Sequence, residues 1–530
     1  MEKGMKGKKF LAGLMTAALV TGLAGCGKTG DTGTAAPGTE QGGSGTGSAA
    51  AVQDGESYNI VMEIVTVGEN PSGLLEVEQA INDIVFEELG VTVTLYPISV
   101  SEVVAQNNMM LTSGEKLDLI FTLGMTGDLA NKGMIMPLDE LQEKYGADIE
   151  KSQGPAMAGG YYGGSLYAIP CVELHGSSLG YLARTDMLDE IGFELEEDKI
   201  YSIEELEELF ASFKEKYGDG YYCLAGMSST TDNYASYNLV DSLGTQSSCG
   251  VLMGAGLDGN TTIENLYASE EYAAYAQRMY DWAQKGYIAP DAATNTDSAQ
   301  MQILGGQYLG SFGTYAGDGS TVFAQACGTD ITAIPLQEGH ATTGQFTGLT
   351  WSIPTTCENP EKTYEFLNYL YQEHELDRDV DTILTLGLQN VSWKMLETGE
   401  GSRGIMTYMD GVDATSTPYN MALGIYGDKL SQPKWSPLTL DYYDQVAEFN
   451  ASITDDRKSL ALGYAFDSTS VSSQKAAVDS VVSQYAGLIS SGSVAPESVL
   501  AEFNQALTDA GIDEIIAENQ RQLDEWLAQQ

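Results

Sequence analysis

The sequence predicts an α/β protein built on a parallel sheet. Three observations carry that reading. From Tyr58 to Thr122, β-rich runs alternate with amphipathic stretches in the order β-α-β-α-β, the mark of a parallel sheet with helices packed outside it. Hydrophobic residues make up 43% of the 530, and about 470 residues lie beyond residue 57, enough for two or three domains with real cores. Beyond the N-terminal region no apolar run reaches the roughly 17 residues that a membrane span needs.

The chain opens with Lys3, Lys6, Lys8 and Lys9, then an apolar run from Phe10 to Val20. This is the n-region and h-region of an export signal. The stretch Gly22 to Thr29 reads two ways. It matches the phosphate-cradling pattern G-x-x-x-x-G-K-[ST], and its Leu23-Ala24-Gly25-Cys26 resembles the lipobox of bacterial lipoprotein signal peptides. The phosphate loop requires a helix at once, to supply N–H groups and dipole. Instead Gly, Ser, Thr and Ala dominate up to residue 57, which holds no helix. The lipobox resemblance implies a signal peptide over 1–25, cleavage before Cys26, and a lipid on its sulfur. Residues 26–57 are then the anchor and a flexible linker of about 30 Å typical reach.

Folded structure is expected from Tyr58. Tyr58 to Val67 reads as a strand buried on both faces. Leu74 to Leu89 has helical periodicity with Gly90 as its stop. Val91 to Tyr96 is a second strand, Ser101 to Leu111 a second helix, and Leu117 to Thr122 a third strand. Ligands of such sheets sit outside the strands' carboxyl ends, here Thr66–Asn70, Pro97–Ser99 and Leu123–Gly127. Further on, Ser202 and Glu205 form a capping box, Ser269 caps a second helix, and Gln307 to Phe312 is a strand. Asn359 and Pro360 open a third helix as cap and first helical residue.

Seventy-five acidic against 25 basic residues give a net charge of −50, or −53 without residues 1–25. Such a chain repels nucleic acid and offers no basic patch to anionic lipid. Besides Cys26, five scattered cysteines remain (171, 223, 249, 327 and 357) with no C-x-x-C. They read as small buried hydrophobes, and one disulfide stays open. His175, His340 and His374 are too dispersed for a zinc signature.

Between Tyr161 and Leu188, a Gly-x-Leu-Tyr-Ala-Ile-Pro run (Gly164 to Pro170) is followed by Leu182 to Leu188. Together with Asp118 to Phe121, Gly348 to Pro354 and Asn359 to Leu370, these runs resemble family 1 extracellular solute-binding proteins of ABC importers. The resemblance covers nearly all of the mature chain. It implies a two-lobed periplasmic-binding-protein-like (type II) fold, with crossing strands at a hinge and ligand in the cleft. On that reading 58–170 is the first part of lobe 1 and 171–345 is lobe 2. Residues 346–459 hold the return crossing, placed at Gly348–Pro354, and the remaining lobe segments. The mainly helical 460–530 resembles a C-terminal region of unassigned function in a lipoprotein subgroup, and is expected to pack on a lobe.

Tyrosine outnumbers phenylalanine 30 to 13, and aromatic rings with polar tips suit sugars. Expected ligand contacts are Tyr167, Tyr315, Trp351, Trp393 and Trp435, with Met125 and Thr126 at a strand end and polar Glu173, His175 and Asp318. The expected function is capture of a polar solute, a sugar or oligosaccharide, for delivery to an ABC permease. The membrane is reached through the lipid anchor alone, and no cofactor is implied. The alternatives are an exported carbohydrate hydrolase, needing two carboxylates facing across the cleft at about 5–10 Å, and a sensing lipoprotein of the same fold. No G-x-S-x-G elbow or paired Cys and His marks a nucleophile.

Overall fold

The computed structural model describes residues 57–529 except 197, 229–231, 244, 317–322, 325 and 422. Cys26, the signal segment, the linker and Asp318 lie outside the described residues.

Tyr58–Thr66 and Val91–Ser99 pair in parallel along their full lengths, from Tyr58 opposite Val91 to Thr66 opposite Ser99. Leu74–Leu89 joins them and buries Val77, Ile81, Ile84 and Val85. It stops at Gly90, whose φ of 67° a side chain would resist. A parallel bridge from Met62 to Leu119 adds the third strand. Ile120–Phe121 then pairs with Thr350–Ser352, which pairs with Ile169–Pro170, both antiparallel. Lobe 1 is therefore one mixed sheet in the order 91–99, 58–66, 119–121, 350–352, 169–170. Asp118 ties its first and third strands, accepting from the Val61 N–H at 2.8 Å and from the Tyr58 hydroxyl.

Lobe 2 centres on a second sheet, ordered Ile331–Pro335, Ser178–Arg184, Tyr308–Tyr315, Tyr222–Leu224. Helix Ile203–Tyr217 packs against it through Leu206, Leu209, Phe210 and Phe213. Both halves of its capping box are formed, and Ser269 accepts from the Tyr272 N–H at 3.0 Å. The C-terminal helices Ser472–Ser490, Pro496–Ala510 and Ile512–Leu527 share this core through Val478, Ile489, Phe503, Leu507, Ile512 and Ile515.

The chain passes between the lobes three times. The first pass runs through Cys171–Ser177, the second through Leu336–Gly348 and the third through Ile453–Leu462. Ser177 bridges His340, and Ala341 bridges Lys458, so the three passes form one ribbon. The return crossing thus precedes Gly348–Pro354: Thr350–Ser352 already lies inside the lobe 1 sheet. An apolar strand shows that it is buried, not in which lobe.

Cys171, Cys223, Cys249, Cys327 and Cys357 are free and buried. Burial pushes the Cys171 and Cys327 thiols up to about 12, which makes them inert. No helix among the described residues is long and apolar enough to cross a membrane.

Candidate ligand-binding cleft

The carboxyl end of the third lobe 1 strand turns abruptly. Leu123 has φ 46° and Gly124 φ 76°. Left-handed backbone at a leucine costs about 1–3 kcal/mol and persists only where its surroundings enforce it. Those surroundings are visible. Thr122, Thr126 and Thr350 form a buried hydroxyl triad, with Thr126 and Thr350 oxygens 3.2 Å apart. The Thr122 N–H donates to the Thr350 carbonyl at 2.9 Å. A side chain at Gly124 would approach the Thr347 carbonyl of the second pass, so the turn lies at the hinge. Met125 and Tyr167 pack into one small cluster behind it. Asn107, Thr122 and Met125 line a narrow depression with Val104, Asn108 and Leu129.

The first pass is held by polar side chains. Asn450 accepts from the His175 N–H at 2.8 Å and donates to the Glu173 carbonyl at 2.9 Å. Lys434 pairs with Glu173 at 2.9 Å, their side chains only 11% and 16% exposed. Burial opposes ionisation of Glu173, but Lys434 and Lys429 outweigh it and hold the carboxyl below its usual range. His175 meets the ring of Phe346 edge-on at 6.3 Å. Burial, helped by Lys458, lowers its pKa, so it stays neutral at pH 7 as a hinge residue.

Next to Lys434, Trp435 lies against Tyr408 with ring centroids 4.1 Å apart and planes at 31°. Both are half-buried. Across the hinge the first lobe 2 strand pairs Ser178 with Tyr315, and burial pushes the Tyr315 hydroxyl up to about 12. A further contact joins the C-terminal region to lobe 1: Asn131 donates to Asp467 at 3.1 Å and to the Tyr162 hydroxyl. Two lobes, a three-pass hinge, and a strained turn beside it form the frame of a protein that closes on a ligand.

Residues 72–374, more than half of the chain, match the family described as bacterial extracellular solute-binding protein. The chain belongs to that family. Residues 460–528 match a separate description, a domain of unknown function. A carbohydrate ABC transporter substrate-binding protein of Streptococcus pneumoniae serotype 4 is 24% identical to this solute-binding protein, over 98% of each chain. Among solved structures, an N-glycan transport solute binding protein from Streptococcus pneumoniae is 22% identical with a TM-score of 0.73, over 89% of this chain and 99% of that one. An HMO-binding, ABC-transporter-associated solute binding protein from Bifidobacterium longum infantis gives 16% and 0.57, over 89% and 99%. These likenesses show the shared two-lobed fold.

Two expected contacts of the solute-binding protein are core residues instead. Trp351 is 1% exposed, donates to the Ile425 carbonyl at 2.6 Å and packs between Phe121 and Tyr426. Trp393 is 1% exposed and donates to the Gly387 carbonyl at 3.1 Å. Neither ring has a face left for a solute. The tyrosine surplus is largely structural too. Tyr181, Tyr419 and Tyr464 are buried with their hydroxyls bonded to Cys223, Leu384 and Asn519. A buried ring with a reachable carbonyl makes Tyr as good a core residue as Phe. Met125, Thr126 and Tyr167 are gathered at the lobe 1 turn, and Glu173, His175 and Trp435 at the hinge. Tyr315 stands on lobe 2. The sequence did not single out Tyr408 against Trp435, or Asn131 with Tyr162 and Asp467, because these contacts join residues distant in the chain.

Proposed function

We propose that this solute-binding protein captures a neutral oligosaccharide between its lobes and delivers it to an ABC permease. Its tether to the outer membrane surface is a lipid on Cys26. The observation that carries the sugar reading is the half-buried Tyr408–Trp435 pair beside the hinge ion pair. Adjacent rings with polar tips match the C–H faces and hydroxyl rims of pyranoses. The name of the Streptococcus pneumoniae carbohydrate relative supports the same reading. The N-glycan transport solute binding protein from Streptococcus pneumoniae has also been solved in complex with Man1GlcNAc and with Man5GlcNAc. A net charge of −50 disfavours polyanionic glycans. Met125 and Tyr167 supply contacts from lobe 1 and Tyr315 from lobe 2, while Thr126 holds the turn from beneath. Closure follows when the sugar binds the closed form better than the open one. The role is binding, with no bond made or broken in the solute.

Calorimetry against a panel of neutral and uronic-acid oligosaccharides tests this. A neutral glycan should bind, and Trp435→Ala should weaken it by about 1–3 kcal/mol, with the free protein still folded at the temperature of the titration. Binding of acidic glycans alone, or turnover of any glycan, would contradict the proposal.

A further inference from the structure

The C-terminal domain, residues 460–528, matches a description that carries no function. Its helices belong to the lobe 2 core, yet its first segment reaches the other lobe. Gly463, just beyond the third pass, has φ 91°, and a Cβ there would lie 2.8 Å from the Ala158 carbonyl oxygen of lobe 1. Further on, Asp467 accepts from the Asn131 side chain at 3.1 Å.

Both partners of that bond are fixed by their own lobe. The Asp467 N–H donates to the Gln522 side chain at 2.9 Å, and the Asp467 carbonyl accepts from the same side chain at 2.9 Å. Its Oδ1 accepts from the Thr469 N–H at 2.9 Å, which leaves Oδ2 for Asn131. Tyr464, between the two contacts, donates its hydroxyl to Asn519 at 2.7 Å. Gln522 and Asn519 stand on helix Ile512–Leu527, so the segment is a bracket carried by the last helix. On lobe 1, Asn131 ends the helix Thr126–Asn131, which starts at the ligand turn. Its amide also donates to the Tyr162 hydroxyl. The Tyr162 ring lies over Gly127, where a Cβ would come within 2.7 Å of it.

The jaws stand apart in this conformation. Gly124 is exposed, and Met125, Tyr167, Tyr315, Tyr408 and Trp435 are half-buried, so the opposite jaw does not cover the surfaces assigned to the solute. We propose that the C-terminal domain is a brake on closure: Asp467 latches Asn131 while the jaws are apart, and closing on a solute breaks the latch. This rests on reading the cleft as a solute site that closes by hinge rotation. Asn131 moves with lobe 1 and Asp467 with lobe 2. Gly463 abuts the ribbon and serves as the pivot, while Asp467 stands farther out along the chain. A hydrogen bond there tolerates only a few tenths of an ångström of stretch before it fails. A solute then closes the jaws only if its preference for the closed form exceeds what the latch holds. One that touches a single jaw has no such preference, so the brake keeps empty or half-filled protein open. Helix Thr126–Asn131 joins the two events: the solute meets it at Met125, and the latch leaves it at Asn131.

The signature is a gain of affinity when a contact is removed, which structural damage does not produce. Asn131→Ala and Asp467→Ala should each tighten calorimetric binding of a neutral glycan about two- to tenfold. The double variant should gain no more than the better single one. Asn131→Asp sets two acidic side chains face to face and should tighten binding most, with the excess vanishing at high salt. In the free proteins, single-molecule energy transfer between dyes on the two lobes should show open-state dwell times shortened about two- to tenfold in the alanine variants. Unchanged or weaker binding in both alanine variants, or open dwell times equal to wild type, overturns the proposal. If no glycan binds, the functional reading fails by itself, and the dwell times of the free proteins still decide the latch.

Discussion

The two lobes solve the same folding problem with different materials. Lobe 1 packs Ile60, Ile64, Ile81, Val85 and Val93 beside the rings of Phe121, Trp351 and Tyr426, and into this core it sinks several carboxyls: Glu63, Asp118, Asp379 and Asp381 are all at or below 1% exposure. Asp381 is pushed well up by burial, and then by Asp379 beside it. Lobe 2 buries Asp241 as well, but rings dominate its core. Tyr181, Phe210, Trp282, Tyr237 and Phe312 make a chain of edge and stacked contacts. Tyr234, Tyr272 and Tyr267 extend it to Phe503 of the C-terminal helices. Ring packing is tolerant and additive in area, whereas a buried polar clamp is directional and fails when one partner is lost. The directional material lies under the strained turn, and the tolerant material supports the opposite jaw.

The contrast can be broken hardest at Phe503, which is fully buried between Tyr267 at 4.9 Å and Tyr485 at 5.0 Å. Phe503→Ala should cost about 3–5 kcal/mol. In a denaturant titration, lobe 2 and the C-terminal helices should melt together, ahead of lobe 1. Separate melting of the C-terminal helices would show that they are an appendage and not part of the lobe 2 core. Lobe 1 is probed by Trp351→Phe. This leaves most of the ring packing but orphans the Ile425 carbonyl, for an expected loss of about 1–3 kcal/mol in denaturant midpoint. Sugar affinity at saturation of folding should not change. Smallest of all, Ser202→Ala removes one half of the lobe 2 capping box and should cost about 1 kcal/mol, read as a lower melting point with no change in binding.

Local signals made much of this architecture legible. Helix Leu74–Leu89 could be bounded because Gly90 ends it in a conformation that only glycine adopts freely. Ser202, Ser269 and Asn359 act as caps because a side-chain oxygen facing free N–H groups is a local arrangement. Features set by chain pairing over long distances were not legible. Thr350–Ser352 is a lobe 1 strand because it inserts between Phe121 and Ile169, partners about 180 to 230 residues away. The third pass through Ile453–Leu462 carries no motif and escaped notice. Trp351 and Trp393 show the limit for sites. Trp351 reads as a crossing residue and Trp393 as a loop residue, but whether a ring faces a cleft or a core is decided by neighbours such as Ile425 and Gly387.

The bridges from Ser177 to His340 and from Ala341 to Lys458 set three lengths of chain side by side. Bending about that ribbon strains little, while twisting or sliding would shear all three lengths at once. On the proposed function, the jaws would return to the same alignment at each closure. An elongated guest would then be gripped along one fixed direction.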